Sequence, residues 1–133
     1  MKNIARKKVE KEKPDVVVLQ VGGNDLHTLT RSVDPFSPIH IAQEIMGAGK
    51  HCGRFGARVA ISAVLPRLEF HRDITWELNL LLRGLCEVNN FTFIDQSSIV
   101  ADQHLLKDGV HLNAIGTSLF AGNILTCLNE LSL

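Results

Sequence analysis

The chain has 133 residues, enough for one hydrophobic core and too few for two domains. Hydrophobic residues make up 45% of it and charged residues 21%, a balance that is typical of a folded globular protein and excludes a disordered chain. Its 14 basic residues balance 14 acidic ones, so the overall charge points to neither nucleic acid nor a membrane surface as a partner.

The first segment, residues 1–14, is polar and rich in lysine and arginine. It is predicted to be a helical lead-in that ends before Pro14, because proline disfavours helix in the residue before it. Glu10 and Glu12 interrupt the basic run, which favours a solvated helix face over a site for an anionic partner. Residues 15–133 would then form the domain itself.

Three short apolar runs predict buried strands. The run Asp15 to Val21 (DVVVLQV) is almost continuously β-branched, which is typical of a strand covered on both faces, as in a parallel sheet. A second run, Arg58 to Leu65, is stopped by Pro66, and a third covers Phe91 to Ile94.

Helical patterns separate and follow these strands. Ser37-Pro38 offers an N-cap followed by proline at the first helical position, and glycines from Gly53 onward would end that helix. A second helix is predicted from about Asp73 to Asn89, and a final one from Ala114 to about Leu131, capped by Asn113. The side chains predicted to face the core are Ile39, Ala42, Ile45, Met46 and Ala48 in the first helix, Trp76, Leu80, Leu81, Leu85 and Val88 in the second, and Leu119, Ile124, Leu125 and Leu128 in the last.

The alternation of strands and helices predicts an α/β fold in which parallel strands are joined by right-handed crossovers. In open sheets of this kind, ligands bind beyond the carboxyl ends of the strands. Two motifs fall at that edge: Gly22-Gly23-Asn24-Asp25 follows the first strand, and Asp108-Gly109-Val110-His111 precedes the last helix. Either motif alone could be an ordinary turn. Their joint placement at this edge favours a functional site over two unrelated turns.

The two motifs resemble those of the SGNH (GDSL-like) hydrolases. The run Pro14 to Leu26 (PDVVVLQVGGNDL) is similar to the block that carries G-x-N-D in that family, and Asp108 to Gly116 (DGVHLNAIG) is similar to its D-x-x-H block. A helix that carries Asn79 and strand ends at Leu65-Pro66-Arg67 and Phe93-Ile94-Asp95 also match. The resemblance implies a three-layer αβα, flavodoxin-like parallel sheet, incomplete at its N-terminal side.

The resemblance implies a role for four residues in the hydrolysis of a small acyl ester, without a cofactor. His111 would be the general base, and Asp108 would orient its imidazole and stabilise the imidazolium. The side-chain amide of Asn24 would donate a hydrogen bond to the oxyanion. Gly22 would let the backbone turn close to the substrate.

The family's G-D-S block, which carries the serine nucleophile, has no counterpart in these 133 residues. The glycine block that completes the oxyanion hole is also missing. None of the serines lies in a turn typical of a nucleophile: Ser32, Ser37, Ser62, Ser97, Ser98, Ser118 and Ser132. Loss of a triad serine costs on the order of 10⁶ in turnover, so we predict an inactive chain unless an upstream segment completes the site.

Two other hypotheses stay open. The chain could be a non-catalytic interaction module or relic derived from a mobile element. In the strand order 2-1-3-4-5 implied by the resemblance, its first strand would be the third of the sheet, with an exposed edge through which a partner or a second copy could pair. An unrelated flavodoxin-like binding domain is disfavoured, because the sequence has no loop suited to cradling a phosphate.

Cys52, Cys86 and Cys127 are odd in number and widely spaced, which predicts buried reduced thiols in a reducing compartment. No apolar run reaches the roughly 18 residues of a membrane helix, and no signal peptide is visible, so a soluble cytoplasmic protein is expected.

Metal binding is not predicted, because none of the six histidines forms a zinc motif. Asp25 and His27 are a conceivable ligand pair, but a surface loop explains them better. His71-Arg72-Asp73 is interpreted as a helix start with a capping acid, with the mouth of a substrate site as the alternative.

Overall fold

A computed structural model describes residues 11–12, 14–20, 38–68 and 72–131. Residues 11–12 are helical, and the division into a lead-in and a domain stays a prediction. The elements that follow are β1 (Val16–Leu19), α1 (Pro38–Gly53), β2 (Arg58–Ser62), α2 (Arg72–Asn89), β3 (Thr92–Ile94), α3 (Ala101–His104) and α4 (Ala114–Leu131). The predicted α/β class is confirmed, and α3, for which no element was predicted, is the one addition among the described elements.

The strands form one sheet in the order β1-β2-β3, and both pairs are parallel. Val17 lies opposite Val59, and Ile61 lies opposite Phe93. Among the described residues β1 pairs with β2 alone. Parallel strands of this kind are covered on both faces, which explains why their sequences are continuously apolar rather than alternating.

The strand β2 is shorter than predicted, since it ends at Ser62 and not at Leu65. Beyond it, the backbone of Val64 is hydrogen-bonded by a side chain of α2 rather than by a strand. Its N–H donates to Oδ1 of Asn79 at 2.7 Å, and its carbonyl accepts from Nδ2 of Asn79 at 3.1 Å. The amide therefore takes the place of a strand partner and fixes the segment that leaves the sheet.

The core has two parts, one on each face of the sheet. On one face, Val59 and Ile61 of β2 pack with buried residues of α1 and α2. On the other face, Ala60 packs with Ile94 and with Cys127 of α4. Because successive side chains of a strand point to opposite faces, one strand contributes to both parts and the molecule has three layers.

The predicted inner face of α2 is wrong in part. Trp76, Leu80 and Val88 are 65%, 53% and 82% exposed, while Leu81 and Leu85 are half-buried at the margin of the core. The fully buried stripe consists of Leu78, Leu82 and Cys86. Residues four apart lie on the same face of a helix, so α2 carries two apolar stripes, and packing against α1 selected the second one.

The other two long helices are closer to expectation. In α1, Ala42, Ile45, Met46 and Ala48 are buried as predicted, while Ile39 is half-buried. In α4, Leu119, Ile124 and Leu128 are half-buried, but Leu125 is exposed, and Cys127 and Gly116 are the buried positions.

The three cysteines are free and buried, as predicted. Burial raises the pKa of the Cys86 thiol to about 11, because the thiolate would lose its hydration. In the part of the chain that the structure describes, no helix combines the length and the apolar character needed to cross a bilayer.

Candidate active site

A short closed loop between α3 and α4 carries Asp108 and His111. Leu105 and Leu112 form an antiparallel bridge at its base. Inside that bridge, the N–H of Leu106 donates to the carbonyl of His111 at 2.7 Å. The backbone of the loop is thus fixed by its own hydrogen bonds, which holds the two side chains in a defined position.

Asn113 joins this loop to both flanking helices. Its Oδ1 accepts the N–H of Gly116 at 2.8 Å, which is the N-cap bond predicted for α4. Its Nδ2 donates to the carbonyl of Gln103 at 2.9 Å, and its backbone N–H donates to the carbonyl of His104, also at 2.9 Å. One residue therefore begins α4 and holds α3 beside it.

Asp108 and His111 are in direct contact, with Oδ2 of Asp108 2.5 Å from Nδ1 of His111. Oδ1 of Asp108 accepts the backbone N–H groups of Val110 at 2.9 Å and of His111 at 3.0 Å. The hydrogen bond from the His111 side chain, followed by these two backbone bonds, lowers the pKa of the Asp108 carboxyl from 3.8 to about 2. The carboxyl is therefore ionised at neutral pH.

This geometry assigns the imidazole tautomer. An ionised carboxylate only accepts hydrogen bonds, so Nδ1 of His111 must carry the hydrogen that it donates to Asp108. In the neutral ring the lone pair then lies on Nε2, which is the arrangement of a general base. Both side chains are exposed, so Nε2 is accessible to a substrate or a nucleophile.

Gly109 allows the tight turn between the two residues. Its φ of 71° lies in the left-handed region, which glycine adopts without steric cost. A Cβ at this position would also lie 3.0 Å from Cβ and Cδ1 of Leu68. The carbonyl of Gly109 accepts the N–H of Leu68 at 3.0 Å, so the turn is held against the segment that follows β2.

Three described serines near the carboxyl ends of β2 and β3 have surroundings other than this pair. Ser62 is buried in β2. Ser97 donates its hydroxyl hydrogen bond to Oδ2 of Asp95 at 2.8 Å, and Ser98 accepts one from the side chain of Asn123. No hydrogen bond joins a serine to His111 in the part of the chain that the structure describes.

The other two predicted site residues, Gly22 and Asn24, lie outside the described residues, as do Asp25 and His27. Asp73 lies in the first turn of α2, in agreement with a helix start. Within the described residues, no group of three or more His, Cys, Asp and Glu side chains could hold a metal ion.

A cleft of about 790 Å³ opens beyond the carboxyl ends of β2 and β3. It lies between α2 and the segment that leads from β3 into α3, and it includes neither Asp108 nor His111. Leu68 connects the two sites, because it lines the cleft and contacts Gly109. This cleft was not predicted, because the apolar pattern of α2 assigns Trp76 and Leu80, which lie in its wall, to the core.

The Asp108 carboxyl is expected to titrate near pH 2, as carbon-13 NMR of the labelled side chain would show. Since its pKa is lowered on folding, its contribution to stability is present above the ordinary value of 3.8 and is lost as the pH falls towards 2. His111→Ala removes the main cause and should raise the midpoint. The midpoint of this variant should nevertheless stay below 3.8, because both backbone N–H donors to Asp108 remain. A midpoint near 3.8 in the unchanged protein would contradict the contact.

The three-layer architecture, with an Asp–His loop at the carboxyl edge of a parallel sheet, is the fold of the SGNH (GDSL-like) hydrolases. The predicted resemblance is thereby confirmed for the fold, of which the described sheet is an incomplete version. The chain is similar to a GDSL-like lipase from Bacteroides thetaiotaomicron, with a TM-score of 0.78 and 20% identity over 98% of this chain and 69% of that chain.

Two further solved structures give the same result. The native M. smegmatis aryl esterase aligns with a TM-score of 0.78 and 16% identity, over 98% of this chain and 67% of that chain. TesA aligns with a TM-score of 0.77 and 18% identity, over 98% of this chain and 71% of that chain. No family model matches the sequence, and no curated protein matches it. At these identities the similarity defines the fold, and the chemistry has to be argued from the site.

Proposed function

We propose that this chain is part of an SGNH-type esterase domain and supplies the general base and its orienting carboxylate for the hydrolysis of a carboxylic ester. The observation that carries the proposal is the 2.5 Å contact between Nδ1 of His111 and Oδ2 of Asp108. The fold supports it, because the loop that holds this pair lies where ligands bind in open α/β sheets.

The chemistry follows from the tautomer. Nε2 of His111 takes the proton of a serine hydroxyl as its oxygen bonds to the ester carbonyl carbon. The same nitrogen then returns that proton to the departing alcohol as the carbon–oxygen bond breaks, and water removes the acyl group from the serine by the same route. Asp108 stabilises the imidazolium throughout. Asn24 would donate its side-chain amide to the oxyanion.

We propose further that these 133 residues are inactive on their own. The sequence contains no G-D-S block, and the described serines near the carboxyl edge of the sheet hydrogen-bond elsewhere. Ester hydrolysis then requires a serine-bearing strand, which would pair with the edge of β1.

A non-catalytic interaction module is the second candidate. It is favoured by the pairing of β1, which has a partner on one side only among the described residues. An unpaired edge of apolar residues is a surface on which another strand can pair.

The first experiment assays the purified chain on an activated acetyl ester beside its His111→Ala variant. Both are expected to match the buffer rate. Turnover that His111→Ala abolishes would contradict the proposed inactivity and support the proposed base.

The second experiment reads the coding sequence upstream of Met1 for an in-frame G-D-S after a predicted strand. If it is present, the longer chain should hydrolyse the ester. An inactive, folded longer chain would contradict the esterase proposal. In-frame stop codons in its place would favour the interaction module.

A further inference from the structure

We infer that the cleft beyond β2 and β3 binds the alkyl chain of an uncharged ester. The inference rests on the proposed function, because it places the apolar part of the same substrate. The cleft has a volume of about 790 Å³, within the range of roughly 300–1,000 Å³ that is usual for small-molecule sites.

Part of the solvent-exposed wall of the cleft is formed by large apolar side chains. Trp76 and Leu80 lie one turn apart on α2, and both are exposed even though they are large and apolar. Leu68 and Val100, from the segments after β2 and β3, are exposed in the same cleft. Four large apolar side chains around one concavity can exclude water from an alkyl chain, which isolated surface residues cannot do.

The charges around the cleft favour an uncharged ligand. Two cationic side chains line it, Arg67 and Arg83, and two anionic ones balance them, Asp95 and Asp102. Nη2 of Arg83 lies 3.7 Å from Oδ1 of Asp95, and its guanidinium lies 5.0 Å from the centre of the Phe93 ring. Arg67 has an interaction partner as well. A carboxylate or an ammonium group would therefore meet no excess of the opposite charge.

The position of Leu68 links the cleft to the proposed chemistry. It lines the cleft, and its N–H donates to the carbonyl of Gly109 at 3.0 Å. Gly109 lies in the turn between Asp108 and His111. An ester whose chain occupies the cleft therefore leaves it beside the loop that carries the base.

The single tryptophan makes the inference testable without catalysis. Trp76 is the only one in the chain, which has no tyrosine, so its fluorescence reports on the cleft alone. The full chain is titrated with methyl esters of increasing acyl length and, separately, with acetate esters of increasing alcohol length.

A saturable shift of the emission to shorter wavelength is expected. The Kd should fall about fourfold per added methylene, since each buried methylene contributes about 0.8 kcal/mol. The series that follows this rule identifies whether the acyl or the alcohol chain occupies the cleft. If neither series gives a saturable shift, the inference is wrong.

Two matched variants test the location. Leu80→Lys places a charge in the cleft and should weaken binding on the order of tenfold. Val88→Lys alters an exposed residue of the same helix that is not among the residues lining the cleft, and it should leave the Kd unchanged. Circular dichroism checks that both variants fold. Equal Kd values for the two variants would overturn the assignment.

Two further results separate this inference from its alternatives. An emission shift that follows protein concentration without ester would mean that a second copy fills the cleft, which overturns the inference. Binding of ester to a longer chain that carries the G-D-S serine but shows no turnover would support the cleft while contradicting the esterase proposal. Turnover by that chain without any response of the Trp76 fluorescence would support the esterase proposal while contradicting the cleft.

Discussion

Gly116→Ala is expected to destabilise the fold by about 2–3 kcal/mol, the cost of forcing extra volume into a close-packed contact. A Cβ on residue 116 would lie 2.4 Å from the backbone oxygen of His104 and 3.1 Å from its Cβ. That oxygen accepts the N–H of Asn113, so it cannot move away without breaking the bond that holds α3 beside α4. The usual gain from alanine in a helix, about 0.5–1 kcal/mol, is too small to compensate.

Gly122→Ala is the matched control for this substitution, because it lies in the same helix and a Cβ there would have nothing within 4 Å. It should stabilise the protein by about 0.5–1 kcal/mol. Urea unfolding of both variants and the parent measures the two free energies of unfolding. Equal stability of the two variants would mean that α3 and α4 are less closely packed than the structure shows.

In a longer chain that contains the G-D-S serine, His111→Ala should lower kcat on the order of 10⁶-fold, and Asp108→Asn on the order of 10⁴-fold. The first substitution removes the base. The second leaves a neutral amide, which can stabilise the wrong imidazole tautomer and no longer stabilises the imidazolium. The Asp108→Asn effect is smaller because Nε2 can still accept a proton in part of the population.

Two substitutions outside the site control for the loss of a histidine or an aspartate as such. His40→Ala on α1 and Asp15→Ala before β1 alter exposed residues of the same types, and kcat should stay within about twofold of the parent. Thermal unfolding of all four variants separates lost chemistry from lost structure. A folded His111→Ala variant with parental kcat would rule out His111 as the base.

Much of the fold and half of the candidate site could be predicted from the sequence, because these features are local. Three short apolar runs separated by helical periods predict parallel strands with helices on both faces. The side chain of Asn113 caps α4 through a residue three positions away. Asp108 and His111 come into contact through one turn that Gly109 permits, which is the arrangement that the resemblance implied for them. The proposed roles of Asn24 and Gly22 stay predictions, since both lie outside the described residues.

Only the tertiary structure decided which of two apolar stripes on α2 is buried. Trp76 and Leu80 have the same spacing as Leu78 and Leu82, so periodicity could not choose between them. Packing against the sheet and α1 selected Leu78 and Leu82, which left the other two to line the cleft.

The contacts between distant segments could not be predicted from the sequence either. A glycine inside a helix is expected to make that helix less stable, yet at position 116 only glycine leaves room for the backbone oxygen of His104. Asn79 of α2 hydrogen-bonds the backbone of Val64, just beyond β2, through both of its amide atoms. Sequence patterns reflect the conformational preferences of residues that are close in the chain. These contacts depend instead on which distant segments pack together, so only the tertiary structure defines them.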